Sequence, residues 1–127
     1  MKNSTDNSTP ITTPDYWENN WADLDVPDPI NPKINTPENY YYRVMHSLFV
    51  RKIGAQVFPG AKVVEIGCGG SRWLPYLHQA FGYEVSGIDY TSAGIQLSQA
   101  ILDKAGITGC IVQGDLFQPP PDWIGRF

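Results

Sequence analysis

Three short apolar runs, each closing on an acid or a glycine turn, most constrain how this chain can fold. They are KVVEIG (62–67), YEVSGID (83–89) and GCIVQGD (109–115). The first is almost continuously β-branched and apolar, a pattern suited to a strand buried on both faces. Between the runs lie segments with helical apolar spacing, 71–81 and 92–106. The first tolerates Pro75 in its opening turn and ends at Gly82, and the second buries Ile95, Leu97/Ser98, Ile101 and Leu102. A further helix is expected over 37–53, with Thr36 as N-cap, Pro37 in the first turn, and a stripe of Tyr41, Val44, Met45, Leu48, Phe49 and Ile53. Alternation of helix and strand implies parallel strands joined by right-handed crossovers. The expected class is α/β, a Rossmann-like three-layer parallel sheet that stops after its third strand.

The remainder divides simply. Residues 1–36 read as a disordered leader followed by an arm rich in aromatics and proline. Its aromatics Tyr16, Trp17 and Trp21 want a surface to pack on, and prolines at 27, 29 and 32 forbid one continuous helix, so an irregular arm with one short helical turn around Tyr16–Leu24 is expected. Residues 37–127 form the single ordered domain.

Bulk properties remove several functions. A net charge of −4, with basic residues scattered, argues against a phosphate-backbone binder, so no nucleic-acid partner is expected. The apolar runs fall short of the roughly 18 residues of a membrane span. The opening MKNSTDNSTP has no apolar core and is not a secretory signal. Cys68 and Cys110 lack metal-site spacing, so no metal is expected, and a cytoplasmic setting with reduced thiols fits them.

The glycine turn VVEIGCGGS is the candidate site, because ligands of such sheets sit beyond the carboxyl ends of the strands. A dinucleotide fingerprint would need a third glycine at position 72, where Arg72 stands. The pattern present is acid-x-Gly-x-Gly: Glu65, Gly67, Gly69. Asp89 ends the second run, 22 residues beyond Gly67 (89 − 67), and Asp115 ends the third. Each has a bland alternative: Glu65 as a cap for loop amides, Asp89 as a helix cap, Asp115 as a turn former. Cys68 reads as a small residue in a glycine turn rather than a nucleophile. His46 and His78 read as ordinary surface or core histidines.

The set VVEIGCGGS, VSGIDYT and IVQGDLF resembles the first three motifs of class I S-adenosylmethionine-dependent methyltransferases, with Ser71 where a third motif glycine is common. The resemblance covers 61–117. It implies S-adenosyl-L-methionine as cofactor, with Gly67 and Gly69 making room for its methionine part and Glu65 organising its amino group. Asp89 would hold the ribose, Tyr90 would lie against the adenine face, Asp115 would take the adenine amino group, and Leu116 would offer its backbone N–H. It further implies a small-molecule methyl acceptor. The family's fourth and later strands, which shape the acceptor pocket, have no counterpart here. No catalytic residue is therefore assigned, the chain alone is expected to be inactive, and its open sheet edge invites self-association. The alternatives are a non-catalytic cofactor-binding module completed by a partner chain, and a nicotinamide-nucleotide-binding fragment.

Overall fold

The computed structural model describes residues 12–127. Helix α1 spans Pro14–Ala22, α2 Tyr40–Ile53, α3 Trp73–Phe81 and α4 Ser92–Lys104. Strands β1 (Lys62–Ile66), β2 (Glu84–Asp89) and β3 (Cys110–Gln113) alternate with the last two helices. The strands form one parallel sheet in the order β1-β2-β3, with Val63 opposite Val85 and Ile88 opposite Val112. Two right-handed crossovers running in the same direction put α3 and α4 on one face of the sheet. The core lies between, built from Cys68, Leu74, Val85, Leu102 and Ile107, with Val63 and Ile111 packed against it.

Two helices start later than the sequence suggests. Pro37 and Glu38 lie in a turn, and Asn39 stands at the α2 N-cap without a side-chain capping bond. Its amide is used elsewhere, donating to Ile34 O (2.8 Å) and Asn31 O (2.9 Å) and so fastening the arm to the helix. Helix α3 starts at Trp73 because Gly70 takes a left-handed φ of 69° and Ser71 closes a turn onto Cys68 O. The expected apolar stripe of α2 is also rotated: Tyr41 and Val44 are exposed. Tyr42 and Phe49 instead meet Trp73 edge-on, and His46 bonds Tyr76 Oη at 2.9 Å.

Almost all of the expected leader lies outside the described residues. In the arm that follows, the short helical turn expected around Tyr16–Leu24 is a full helix. Thr13 Oγ1 accepts from Tyr16 N and caps α1, a nine-residue helix packed on α4. Farther along, Lys104 pairs with Asp28 at 2.8 Å and donates to Val26 O, and Arg72 donates to Asp28 O. The adjacent Lys104 ammonium holds the Asp28 carboxyl below its ordinary range.

Gly87 on β2 is where strand and glycine turn approach most closely. A Cβ there would stand 2.6 Å from Cys68 Sγ and 3.0 Å from a Leu74 methyl. Overpacking of this kind costs about 1–3 kcal/mol. Gly87→Ala should lower the unfolding free energy by that amount, seen as a lower urea midpoint at unchanged m-value, and an unaltered midpoint would mean the core yields at this point.

Candidate functional site

The glycine turn is pinned to β2. Gly67 N and Cys68 N both donate to Ile88 O, at 2.8 and 3.2 Å, and Ser98 Oγ donates to Cys68 O at 2.7 Å. Burial pushes the Cys68 thiol up to about 11, which suits a packing residue rather than a nucleophile.

The three glycines face different neighbours. Gly67 is exposed, has φ 71°, and would meet nothing within 4 Å if it carried a Cβ. Gly69 is buried, and a Cβ there would stand 2.7 Å from Trp21 Nε1 and 2.9 Å from Asp89 Oδ2. At Gly70 it would meet the Trp21 ring at 2.7 Å. The first glycine faces open space, whereas the other two make room for the chain's own arm.

Asp89 is 7% exposed and fully engaged in the turn. Its Oδ2 accepts from Gly69 N at 2.9 Å, and its Oδ1 accepts from Thr91 N at 2.8 Å and Thr91 Oγ1 at 2.6 Å. Thr91 in turn caps α4, its Oγ1 accepting from Gly94 N at 3.2 Å. Three bonds leave Asp89 one lone pair, on Oδ2, out of about four acceptor sites on a carboxylate.

Glu65 is in the opposite condition. Its Oε2 is buried with no hydrogen-bond partner. Burial pushes its carboxyl above the ordinary value, and the Ser71 hydroxyl pulls it partly back.

A cavity of about 530 Å³ opens at the carboxyl ends of the strands, lined by Gly67, Asp89, Tyr90, Asp115 and Leu116 together with Ile66, Ile88, Gly114 and Phe117. Five of the seven residues singled out in the sequence therefore share one cavity. Glu65 and Gly69 do not line it. Gly69 lies beneath Trp21. Asp115 shapes the rim by accepting from Phe117 N through Oδ1 at 2.9 Å, which leaves Oδ2 unused. A larger cavity, about 850 Å³, lies between 28–34 and the α2–α3 face beside His46 and Tyr76, and none of the motif residues lines it.

Three participants escaped the sequence reading. Thr91 carries a local signal, a threonine directly before a helical run, although the only cap considered at this helix start is the bland alternative for Asp89. Trp21 was counted among core or cover aromatics. Glu18, whose carboxylate accepts from Ser92 N and Ala93 N at 2.8 and 2.9 Å, carried no local signal at all.

The two carboxylates should respond oppositely to amide substitution. In Asp89→Asn, whichever oxygen becomes an NH2 faces a backbone N–H, so stability should fall by roughly 1–3 kcal/mol. For Glu65 the folded pKa lies above its ordinary 4.5. The folded state then holds the proton more tightly, and stability is lost as pH rises from there through the raised pKa. Glu65→Gln should gain on the parent over that pH range, and denaturant titrations at several pH values would show it. A pH-independent difference would mean Glu65 ionises freely.

No protein-family model matches the chain. Over 64 residues it is 38% identical to ribosomal RNA small subunit methyltransferase C of Alcanivorax borkumensis, a match covering 48% of this chain and 18% of that one. The fold resembles geranyl diphosphate C-methyltransferase from Streptomyces coelicolor, solved with Mg2+, geranyl diphosphate and S-adenosyl-L-homocysteine. That similarity has a TM-score of 0.57 at 16% identity and covers 88% of this chain and 51% of that one. It also resembles coclaurine N-methyltransferase bound to N-methylheliamine and S-adenosyl-homocysteine, with a TM-score of 0.55 at 11% identity, covering 84% and 37%. The chain thus spans between about a fifth and a half of the length of these proteins. With three parallel strands in one open sheet, flanking helices and a glycine turn after the first strand, the chain has a Rossmann-like fold similar to that of these methyltransferases.

Proposed function

We propose that the chain binds S-adenosyl-L-methionine across the carboxyl ends of its strands and forms the cofactor-binding part of a methyltransferase. One observation carries this reading: residues from three separate strand ends, Gly67, Asp89, Tyr90, Asp115 and Leu116, converge on one cavity. The residues fit such a ligand. Gly67 leaves open space for the methionine part, and the partnerless Glu65 Oε2 suits an ammonium. The spare Oδ2 lone pair of Asp89 suits a ribose hydroxyl. Tyr90, 45% exposed, offers a ring face to adenine, and Asp115 Oδ2 an acceptor for its amino group. When bound, the cofactor supplies an electrophilic methyl group on a sulfonium. The chain's own contribution is placement, which in-line transfer needs above all.

A dinucleotide fits less well. Arg72, at the position of the missing glycine, is turned away onto Asp28 O and the Tyr42 ring, with its guanidinium 4.9 Å from the ring centroid. Glu65, Asp89 and Asp115 around the site would repel a pyrophosphate, whereas a sulfonium with an ammonium is attracted to them.

The acceptor we propose is a small molecule. The curated relative's name specifies ribosomal RNA, but a chain of net charge −4 has little to offer a phosphate backbone. Among the described residues β1 pairs only with β2. A further strand at that free edge, from more of the polypeptide or from a second copy, is how we propose the acceptor pocket is completed.

Calorimetry of the purified chain with S-adenosylhomocysteine and with NAD tests the cofactor. S-adenosylhomocysteine should bind the more tightly. Tighter binding of NAD would overturn the assignment.

A further inference from the structure

We propose that the cavity of about 850 Å³ between residues 28–34 and helices α2 and α3 is a second ligand site, and that it takes a small organic carboxylate with an apolar body. No residue lines both this cavity and the one at the strand ends. Gln79 and Ala80 line it from the last turn of α3, and that helix runs away from the carboxyl ends of the strands. The occupant is therefore a ligand other than the methyl acceptor, and its binding does not depend on the cofactor reading above.

The cavity is walled before a ligand arrives. Lys104 and Arg72 hold the 28–34 segment at Asp28, by an ion pair at 2.8 Å and a bond to the backbone carbonyl at 2.7 Å. Asn39 holds the other end, donating to Asn31 O and Ile34 O. Pro29 and Pro32 stiffen the span between them. The volume falls within the roughly 300–1,000 Å³ of small-molecule sites.

The polar groups around it favour an acceptor that carries negative charge. The segment's own acceptors are largely taken: Asp28 Oδ1 by Lys104, Asp28 O by Arg72, Asn31 Oδ1 by Lys33 N, and the carbonyls of Asn31 and Ile34 by Asn39. Donors remain. Among the described residues Lys33 has no ion-pair partner. Tyr76, 1% exposed, has His46 Nδ1 as its hydroxyl's partner at 2.9 Å, so the hydroxyl proton goes there. The neutral His46 ring then carries its own proton on Nε2, which is a free donor among the described residues. Asp28 is the one carboxylate among the described residues that line the cavity, against Lys33 in the wall and Lys104 and Arg72 bound to Asp28. In a chain of net charge −4 this local excess of cations draws an anion. A carboxylate can accept from several donors at once, and Ile30, Ile34 and Ala80 receive the apolar remainder.

Amide chemical-shift titrations with phenylacetate, phenylacetamide and acetate read this out on the whole chain. Phenylacetate should bind saturably and shift amides within 29–34 and 76–80. Phenylacetamide, of the same shape without the charge, should bind about tenfold more weakly, and acetate, without the apolar body, not measurably. Lys33→Met changes an exposed residue and should weaken phenylacetate about threefold, the scale of an exposed ion pair, while leaving phenylacetamide unchanged. Ala80→Trp puts a bulky ring in the cavity wall and should abolish binding of both, with circular dichroism confirming the fold. No saturable binding of phenylacetate, equal affinity for the acid and its amide, shifts confined to the strand ends, or unaltered binding in either variant would overturn the site.

Discussion

The Asp89 carboxylate is the point on which the site is assembled. It receives Gly69 N on one oxygen, and Thr91 N and Oγ1 on the other. Those bonds tie the turn after β1 to the end of β2 and, through the Thr91 cap, to the start of α4. The backbone of Asp89 adds a third connection, its carbonyl accepting Gly114 N at 2.9 Å, which brings in the turn after β3. All three strand ends are thus fixed to one residue. A buried carboxylate costs a great deal unless its oxygens are met by donors. Here the donors are mostly backbone amides that would otherwise be orphaned in a glycine turn and at a helix start, so both needs are satisfied together.

The contrast with Glu65 gives the site its direction. Asp89 has three of its acceptor positions filled by the protein, whereas one oxygen of Glu65 is buried and unmet. A partnerless buried acceptor is destabilising, and a bound donor removes the penalty. The glycines divide in the same way. Gly67 is open on one side of the turn. Gly69 and Gly70 are pressed against Trp21 on the other. Small residues at 69 and 70 are required by the arm as much as by any ligand.

What was legible in the sequence was local. Short apolar runs located β1, β2 and β3, period-3.6 spacing located α3 and α4, and the turn residues placed Glu65, Gly67, Asp89 and Asp115 at strand ends. That order of elements was enough to place Gly67, Asp89, Tyr90, Asp115 and Leu116 around one cavity. What the sequence hid was nonlocal or competitive. Glu18 caps a helix 74 residues away, and no spacing rule reaches that far. Thr36 and Pro37 make a good local helix start, yet α2 begins at Tyr40 because Asn39 spends its side chain on the arm. The α2 stripe was misjudged because its partner is the aromatic face of α3, met by Tyr42, His46 and Phe49, and not the apolar core of the sheet.

The arm's odd composition follows from the path it must take along α4. Glu18 meets the amino-terminal end of that helix, where a negative charge is favoured, and Asp28 meets Lys104 at its carboxyl-terminal end, where the positive charge belongs. Thirteen residues of helix span roughly 20 Å. Helix α1 ends at Ala22, and the six residues 23–28 cover roughly 20 Å only when extended. Continued as helix, they would advance about 9 Å and fall short of Lys104. Pro27 and Pro29 prevent that continuation, because each lacks the N–H a helix needs and biases the residue before it toward extended backbone. The prolines therefore set the length of the strap, and the strap sets where Glu18 and Trp21 come to rest against the glycine turn.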